Sequence, residues 1–302
     1  MQAPKSTRLS VLIPFALVTL IWGSTWIVIR DQISVVPPAW SVTYRFAVAG
    51  LVILGWALVR RNSLRLDARG LLFAACLGVA QFVLNFNFVY RAELHITSGV
   101  VAIVYALLLV PNAILARIFL GQRMGRQLLI GSLVAMVGVG LLFLHESRLS
   151  EAGPGVALLG IGIAFLGVLS ASVANVMQAT RVAKAYPMAT MLGWSMLIGA
   201  AVDACFAWSM TGPPVIEMRW GYVLGTLYLG VLGSALAFTL YYQLIRTIGP
   251  AKAAYTSVLV PVIAMLLSTI YEGYRWSLLA AAGGALVMIG LVIALRARRP
   301  NR

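Results

Sequence analysis

Charged residues are scarce in this sequence. Only 10% of its 302 residues are Asp, Glu, Lys or Arg, whereas 61% are apolar and the mean hydropathy is +0.94. Soluble domains carry about 25% charged and about 45–50% apolar residues. A water-soluble fold of this length cannot bury so much apolar surface. The composition therefore excludes an ordinary soluble protein and predicts that the lipid bilayer forms part of its surroundings.

Residues that carry catalysis and metal binding are also few. The chain has only eight acidic residues, two histidines and two cysteines. It lacks the HExxH motif, a phosphate-binding loop ending in Lys-Ser or Lys-Thr, and a Gly-x-Ser-x-Gly elbow. Cys76 and Cys205 lie in separate apolar runs without metal-ligand spacing, and we expect both to be packing residues. The sequence therefore predicts no enzyme, no metal and no cofactor.

Ten apolar runs are each about 20 residues long, enough to cross roughly 30 Å of hydrocarbon as a helix. Seventeen of the 23 Lys and Arg residues fall at the termini and in alternate gaps. This bias is the orientation signal of a membrane protein rather than a nucleic-acid patch, and it predicts that both termini are cytoplasmic. The predicted helices are 11–30, 38–59, 70–90, 96–119, 127–144, 155–181, 187–209, 219–246, 251–271 and 276–296.

The two halves of the chain resemble each other. Residues 88–141 and 238–291 align without gaps at a shift of 150, and 14 of 54 positions are identical, including Tyr105 with Tyr255. Each half holds five crossings, an odd number, so the second half enters from the opposite side and forms an inverted repeat. The sequence thus predicts an all-α integral membrane protein of ten transmembrane helices. The two predicted repeats span 1–148 and 149–302.

Acidic side chains are nearly absent from the apolar runs. Asp203 is the only one well inside a run, in its outer third. No carboxylate falls near the expected midplane, so the sequence predicts facilitated flux rather than a buried proton-binding acid. His95 and His145 fall at the ends of runs and are expected to be solvated. Three glutamates also lie at outer ends: Glu93, Glu217 and Glu272.

The first run contains the segment LIWGSTWIVIR, residues 20–30. Trp22 lies near the expected midplane and Trp26 lies one turn further on the same helix face. Tryptophans that only anchor a helix lie at the two interfaces. Either the two indoles pack against neighbouring helices, with Gly23 and Ser24 allowing close approach, or they line a cavity.

Other polar side chains lie deep in the runs, where lipid offers no hydrogen bonds. Each either faces a wet cavity or makes a polar contact between helices. Arg45, the one deep cation, either extends to the outer interface or meets a carboxylate of the substrate or of Asp203. The candidate cavity residues are Trp22, Trp26, Arg45, Gln81, Asn85, Tyr105, Asn175, Gln178 and Tyr255.

Several segments together resemble the drug/metabolite transporter superfamily, in its EamA-repeat branch. They are the WGSTW segment, the arginine in SVTYRFAVAG, and STIYEGYRW before the last helix. The resemblance implies a basket of ten helices, with helices five and ten outside a transport core of eight. Within the branch, the chain looks most similar to bacterial YddG-type exporters of aromatic amino acids. Unlike small multidrug-resistance relatives, its first helix has no glutamate, which argues against proton-coupled drug antiport.

We therefore predict a secondary transporter of the bacterial cytoplasmic (inner) membrane. It would export amino acids, aromatic ones preferred, and related small amphipathic metabolites by alternating access. Its partners would be the small-molecule substrate and the lipid bilayer, with no nucleic acid. A proton-coupled drug or metabolite antiporter, a carrier of nucleotide sugars or phosphates, and a non-transport role remain alternatives. Glycines on helices five and ten permit tight packing either within the chain or in a homo-oligomer.

Overall fold

The computed structural model describes residues 5–121, 126–149, 153–248, 253 and 256–295. The described chain is helical and contains no strand. A one-turn helix at Arg181–Lys184 separates the sixth and seventh long helices. The long helices are α1 Lys5–Gln32, α2 Pro38–Val59, α3 Ala68–Ala92, α4 Ser98–Leu120, α5 Arg126–Leu149, α6 Pro154–Ala179, α7 Met188–Thr211, α8 Trp220–Ile248, α9 Thr256–Tyr271 and α10 Leu278–Leu295.

Local signals set several of the helix ends. Pro38 and Pro154 occupy the first turns of α2 and α6, where the missing N–H has no partner to lose. Asp67 Oδ1 accepts a hydrogen bond from Gly70 N at 2.8 Å and caps α3. Gly121 ends α4 with a φ of 66°, a left-handed conformation that favours glycine.

The ten predicted segments coincide with the ten long helices of the described chain. Seven of these, α1–α4 and α6–α8, are long and apolar enough to cross a membrane. The described apolar parts of the other three are shorter, at Ile130–His145, Leu259–Tyr271 and Leu278–Ile293. The all-α membrane fold is therefore confirmed. The count of ten crossings, the cytoplasmic termini and the repeat boundaries stay predictions.

Two helices contain π-helical segments that apolar periodicity does not reveal. Val79–Leu84 lies within α3, and Tyr228–Leu236 lies within α8. The two segments occupy equivalent places under the 150-residue shift between the halves. Such segments often occur at functional sites because they redirect side chains and free backbone groups. Both contribute polar atoms to the site described below.

Helices α5 and α10 pack mainly against each other and make fewer contacts with the other helices. Their glycines make the contact: a Cβ added to Gly138 would lie 2.5 Å from Gly283 O and 2.7 Å from Val287 N. The backbone of Gly290 similarly lies against Gly131. The tight packing that the glycines predict therefore occurs within the chain.

Two expectations about individual side chains are wrong. Cys76 and Cys205 are exposed free cysteines rather than packing residues, because an apolar run that spans lipid does not need to bury every face. His145 is 4% exposed, and its Nδ1 lies 2.8 Å from Ser277 Oγ. His145 is therefore a buried contact between the end of α5 and the residue before α10, not a solvated residue.

Candidate functional site

A cavity with an empty volume of about 750 Å³ lies among α1, α2, α3, α4, α6, α8 and α9. Neither α5 nor α10 contributes a described residue to its wall. Seven of the nine residues that the sequence singled out line it: Trp22, Trp26, Arg45, Gln81, Asn85, Tyr105 and Asn175.

The two tryptophans of α1 differ in how their indoles are held. Trp22 Nε1 donates to Gly233 O at 3.1 Å in the π segment of α8, and its ring lies 4.8 Å from that of Tyr241. Trp26 tilts against Tyr105 at 5.3 Å between ring centroids, and its buried Nε1 has no hydrogen-bond partner in the described structure. Trp22 thus both packs and lines the cavity, whereas Trp26 leaves a donor free.

Arg45 is the only charged residue in the described cavity wall, and it is 1% exposed. Its Nε donates to Ser234 Oγ at 2.8 Å, and its guanidinium carbon lies 4.4 Å from the centre of the Phe86 ring. Its Nη1 has no hydrogen-bond partner among the described groups. Arg45 therefore reaches neither the outer interface nor a carboxylate of the protein, and it leaves a charged donor unpaired.

Asp203, which the sequence suggested as a possible partner of Arg45, forms its hydrogen bonds with other residues. Its Oδ1 accepts from Asn87 Nδ2 at 2.6 Å, and its Oδ2 accepts from Thr43 Oγ1 at 3.1 Å. These contacts join α7 to α3 and α2 and bury the carboxylate completely. Asp203 is thus a contact between helices and does not line the cavity.

The amides of α3 line the cavity in different ways. Asn85 Oδ1 accepts from the Tyr105 hydroxyl at 2.7 Å, and Asn85 Nδ2 donates to Gln81 O at 3.3 Å. Gln81 Oε1 is buried and has no described partner, which leaves an acceptor free. On α6, Asn175 Nδ2 lies 3.5 Å from Asn112 Oδ1.

Two of the nine candidates are not placed in the wall. Gln178 is 1% exposed but does not line the cavity, because it lies almost one turn beyond Asn175 on α6. The described wall therefore does not include Gln178, and its contact with substrate stays a prediction. Tyr255 lies outside the described residues, so its expected contact with substrate stays a prediction.

Several residues of the wall do not stand out in the sequence. The rings of Phe238 and Tyr241 lie three positions apart on α8, a spacing that itself indicates one helix face. Phe86 lies next to the predicted Asn85 and supports the Arg45 guanidinium. The residues that sequence reasoning missed include Thr25, Phe86, Phe238, Tyr241 and Thr256.

The model of the EamA-like transporter family matches the chain twice, at residues 9–144 and 158–296. Protein PagO of Salmonella typhimurium is 23% identical over 295 residues, which cover 96% of this chain and 94% of PagO. YedA of Escherichia coli K12, described as an uncharacterized inner membrane transporter, is 28% identical over 279 residues, covering 90% and 88% of the two chains.

The fold also matches a solved crystal structure with a TM-score of 0.71. The sequences are 20% identical, and the match covers 96% of this chain and 98% of the other. At this identity the likeness shows the fold alone.

Proposed function

This chain belongs to the EamA-like transporter family, and from that premise we propose that it exports amino acids, aromatic ones preferred, and related small metabolites. As an integral protein of the inner membrane and a transporter by family, it needs a central site that both sides of the membrane reach in turn. The cavity among seven helices is our candidate for that site. The particular likeness to YddG-type exporters stays a prediction.

The observation that carries this proposal is the combination of rings and unpaired polar atoms in one wall. Arg45 Nη1 and Trp26 Nε1 are unpaired donors, and Gln81 Oε1 is an unpaired acceptor. A buried unpaired polar group is costly, so each favours a ligand that supplies its partner. A carboxylate suits the two donors, an ammonium group suits the acceptor, and an aromatic side chain suits the surrounding rings.

The same wall favours binding that is weak enough for release. Contacts between aromatic rings contribute roughly 0.5–1.5 kcal/mol each, and a millimolar dissociation constant corresponds to about 4 kcal/mol. A few ring contacts and one charged hydrogen bond are enough to reach a binding free energy of about 4 kcal/mol, once the loss of the ligand's translational and rotational freedom is subtracted. Weak binding fits a carrier, which has to release what it binds.

Alternating access is supported by the relation between the halves. The π segments of α3 and α8 occupy equivalent positions. Gln81 of the first lines the cavity, and Gly233 and Ser234 of the second accept hydrogen bonds from the lining residue Arg45. An inverted repeat supplies two related conformations around one central site. We propose that the halves rock about these segments.

The alternatives fit the described wall less well. A nucleotide sugar or phosphate needs several cations, and the wall offers one, Arg45. A cationic drug needs a carboxylate, and no described lining residue is acidic. The sequence predicts facilitated flux. Coupling of flux to protons would require an acidic residue outside this wall.

Direct binding tests the substrate class. Calorimetry on the purified protein is expected to give a millimolar dissociation constant for phenylalanine. Binding of 2-phenylethylamine, which lacks the carboxylate, and of threonine, which lacks the ring, should each be about tenfold weaker, because each loses one type of contact. Equal affinity for all three ligands would contradict the proposal.

Gln81 and Gln178 form a matched pair of buried glutamines on the first and second halves. Gln81→Ala is expected to raise the KM for phenylalanine efflux about three- to tenfold, the equivalent of one hydrogen bond of about 0.5–1.5 kcal/mol. Gln178→Ala should leave KM unchanged because Gln178 lies outside the wall. The same KM change in both variants would remove Gln81 from the site.

A further inference from the structure

A cluster of charged residues lies one turn beyond the cavity. It is at the end of the helix bundle that the distribution of Lys and Arg predicts to face the outside of the cell. Ile29 and Val89 line the cavity, and Arg30 and Glu93 follow them on the same two segments. Arg30 Nη1 donates to the main-chain oxygen of Glu93, and Arg30 Nε lies 3.8 Å from Glu272 Oε1. The cluster joins the end of α1, the α3–α4 connection and the end of α9.

The two carboxylates of this cluster have unequal surroundings. Glu272 Oε2 accepts hydrogen bonds from Ser98 Oγ at 2.8 Å and from Ser268 Oγ. Glu93 is 0% exposed, and neither of its carboxylate oxygens has a hydrogen-bond partner in the described structure. Burying an ionised carboxylate without donors and without water costs far more free energy than burying a protonated one.

The charged groups that face Glu93 do not reverse its preference for the protonated form. Arg30 and Arg45 act on it from α1 and α2, and Glu272 acts from the position just after α9. The hydroxyls of Tyr90 and Tyr105 also face it. Glu93 lies beyond the last residue of the α3 span. Burial, followed by repulsion from Glu272, raises the pKa of Glu93 well above its ordinary value, although both arginines lower it.

We propose that Glu93 is a proton-binding site, which takes up a proton when the outer end closes over the cavity and loses it when that end opens. Opening separates α1, the α3–α4 connection and α9, so that water reaches the carboxylate and stabilises its ionised form. The closed arrangement holds more protons than the open one, and low pH therefore favours closing. Transport is then linked to protons, in place of the facilitated flux that the sequence predicts.

This site was hidden in the sequence because Glu93 falls between two apolar runs, where an acid is usually solvated. Only the fold brings the α3–α4 connection under the ends of α1 and α9. The shift between the halves pairs Glu93 with Gln243, so the second half has no equivalent acid. The proton site is therefore specific to one end of the bundle.

Infrared difference spectroscopy tests proton binding without any substrate. Spectra of the protein in lipid, taken at high and low pH, should contain the carbonyl band of a protonated carboxyl group. We expect Glu93→Gln to lose this component and Glu217→Gln, which removes an acid in the α7–α8 connection, to keep it. An unchanged spectrum in Glu93→Gln would overturn the proposal.

Efflux of loaded phenylalanine tests the link to transport. With equal pH on both sides of the vesicle, wild-type efflux should fall about tenfold or more as pH rises through the range in which the infrared band disappears. Glu93→Gln is neutral at every pH and should lose this dependence, while Glu217→Gln keeps it. A pH dependence that is identical in wild type and Glu93→Gln would overturn the link. The efflux experiment rests on the proposed function, whereas the infrared experiment contains no substrate and tests proton binding by Glu93 independently.

Discussion

Arg45→Met is expected to lower the efflux of phenylalanine roughly 10- to 100-fold. A hydrogen bond to a charged group contributes about 1.5–3 kcal/mol, and each 1.4 kcal/mol corresponds to a factor of ten in affinity. Methionine has a similar length and still packs on Phe86. The measurement is the initial rate of labelled phenylalanine efflux from proteoliposomes, across a range of loaded concentrations that gives KM.

The stability of this variant separates binding from folding. Arg45 is a buried cation that forms no ion pair with a described carboxylate, so an apolar replacement removes the cost of burying an unpaired charge. Arg45→Met should therefore insert normally and keep or raise its unfolding temperature. Ser234→Ala, which removes only the Nε partner, is the control and should retain most of the efflux. Unchanged phenylalanine KM in Arg45→Met would exclude Arg45 from the substrate site.

Gly138→Val is expected to produce the largest loss of stability, about 1–3 kcal/mol, because overpacking a close contact forces backbone shifts. A Cβ at this position meets the backbone of Gly283 and Val287 in α10. The unfolding midpoint in detergent should fall. The folded fraction should keep the wild-type KM, since α5 contributes no described residue to the cavity wall.

Gly140 provides the matched control on the same helix. A Cβ there meets nothing within 4 Å, so Gly140→Val carries the same change of side chain without the contact. Its unfolding midpoint should stay close to that of the wild type. Equal destabilisation of both variants would show that the effect comes from valine in the helix rather than from the α5–α10 contact.

The fold followed from the sequence because long apolar runs allow few structures in lipid. A membrane span must satisfy its own backbone hydrogen bonds, so each run becomes a helix, and prolines and glycines mark the ends. The π segments were not predictable in this way. Their side-chain pattern differs from that of an α-helix by one residue in a turn, and a largely apolar run such as YLGVLGSAL has too few polar residues to reveal that shift.

The site was partly predictable for the same reason. Trp22, Arg45 and Asn85 stand out because polar or amphipathic atoms deep in lipid need a partner. Phe238 and Tyr241 did not stand out, because rings in a membrane helix are equally suited to packing. Gln178 illustrates the converse: it is polar and buried, yet it lies almost one turn beyond Asn175 along α6 and does not line the cavity. The depth of a residue can be estimated from the sequence, but the extent of a cavity along a helix depends on the neighbouring helices.

The central claim is that this cavity carries aromatic amino acids, and flux in proteoliposomes tests it most directly. The purified protein would be reconstituted, and the efflux of labelled phenylalanine, tryptophan and threonine compared with that of protein-free vesicles. Efflux of phenylalanine and of tryptophan should exceed that of threonine, and Arg45→Met should lose most of this efflux. No amino-acid efflux above that of the empty vesicles, or faster efflux of threonine than of the aromatic pair, would contradict it.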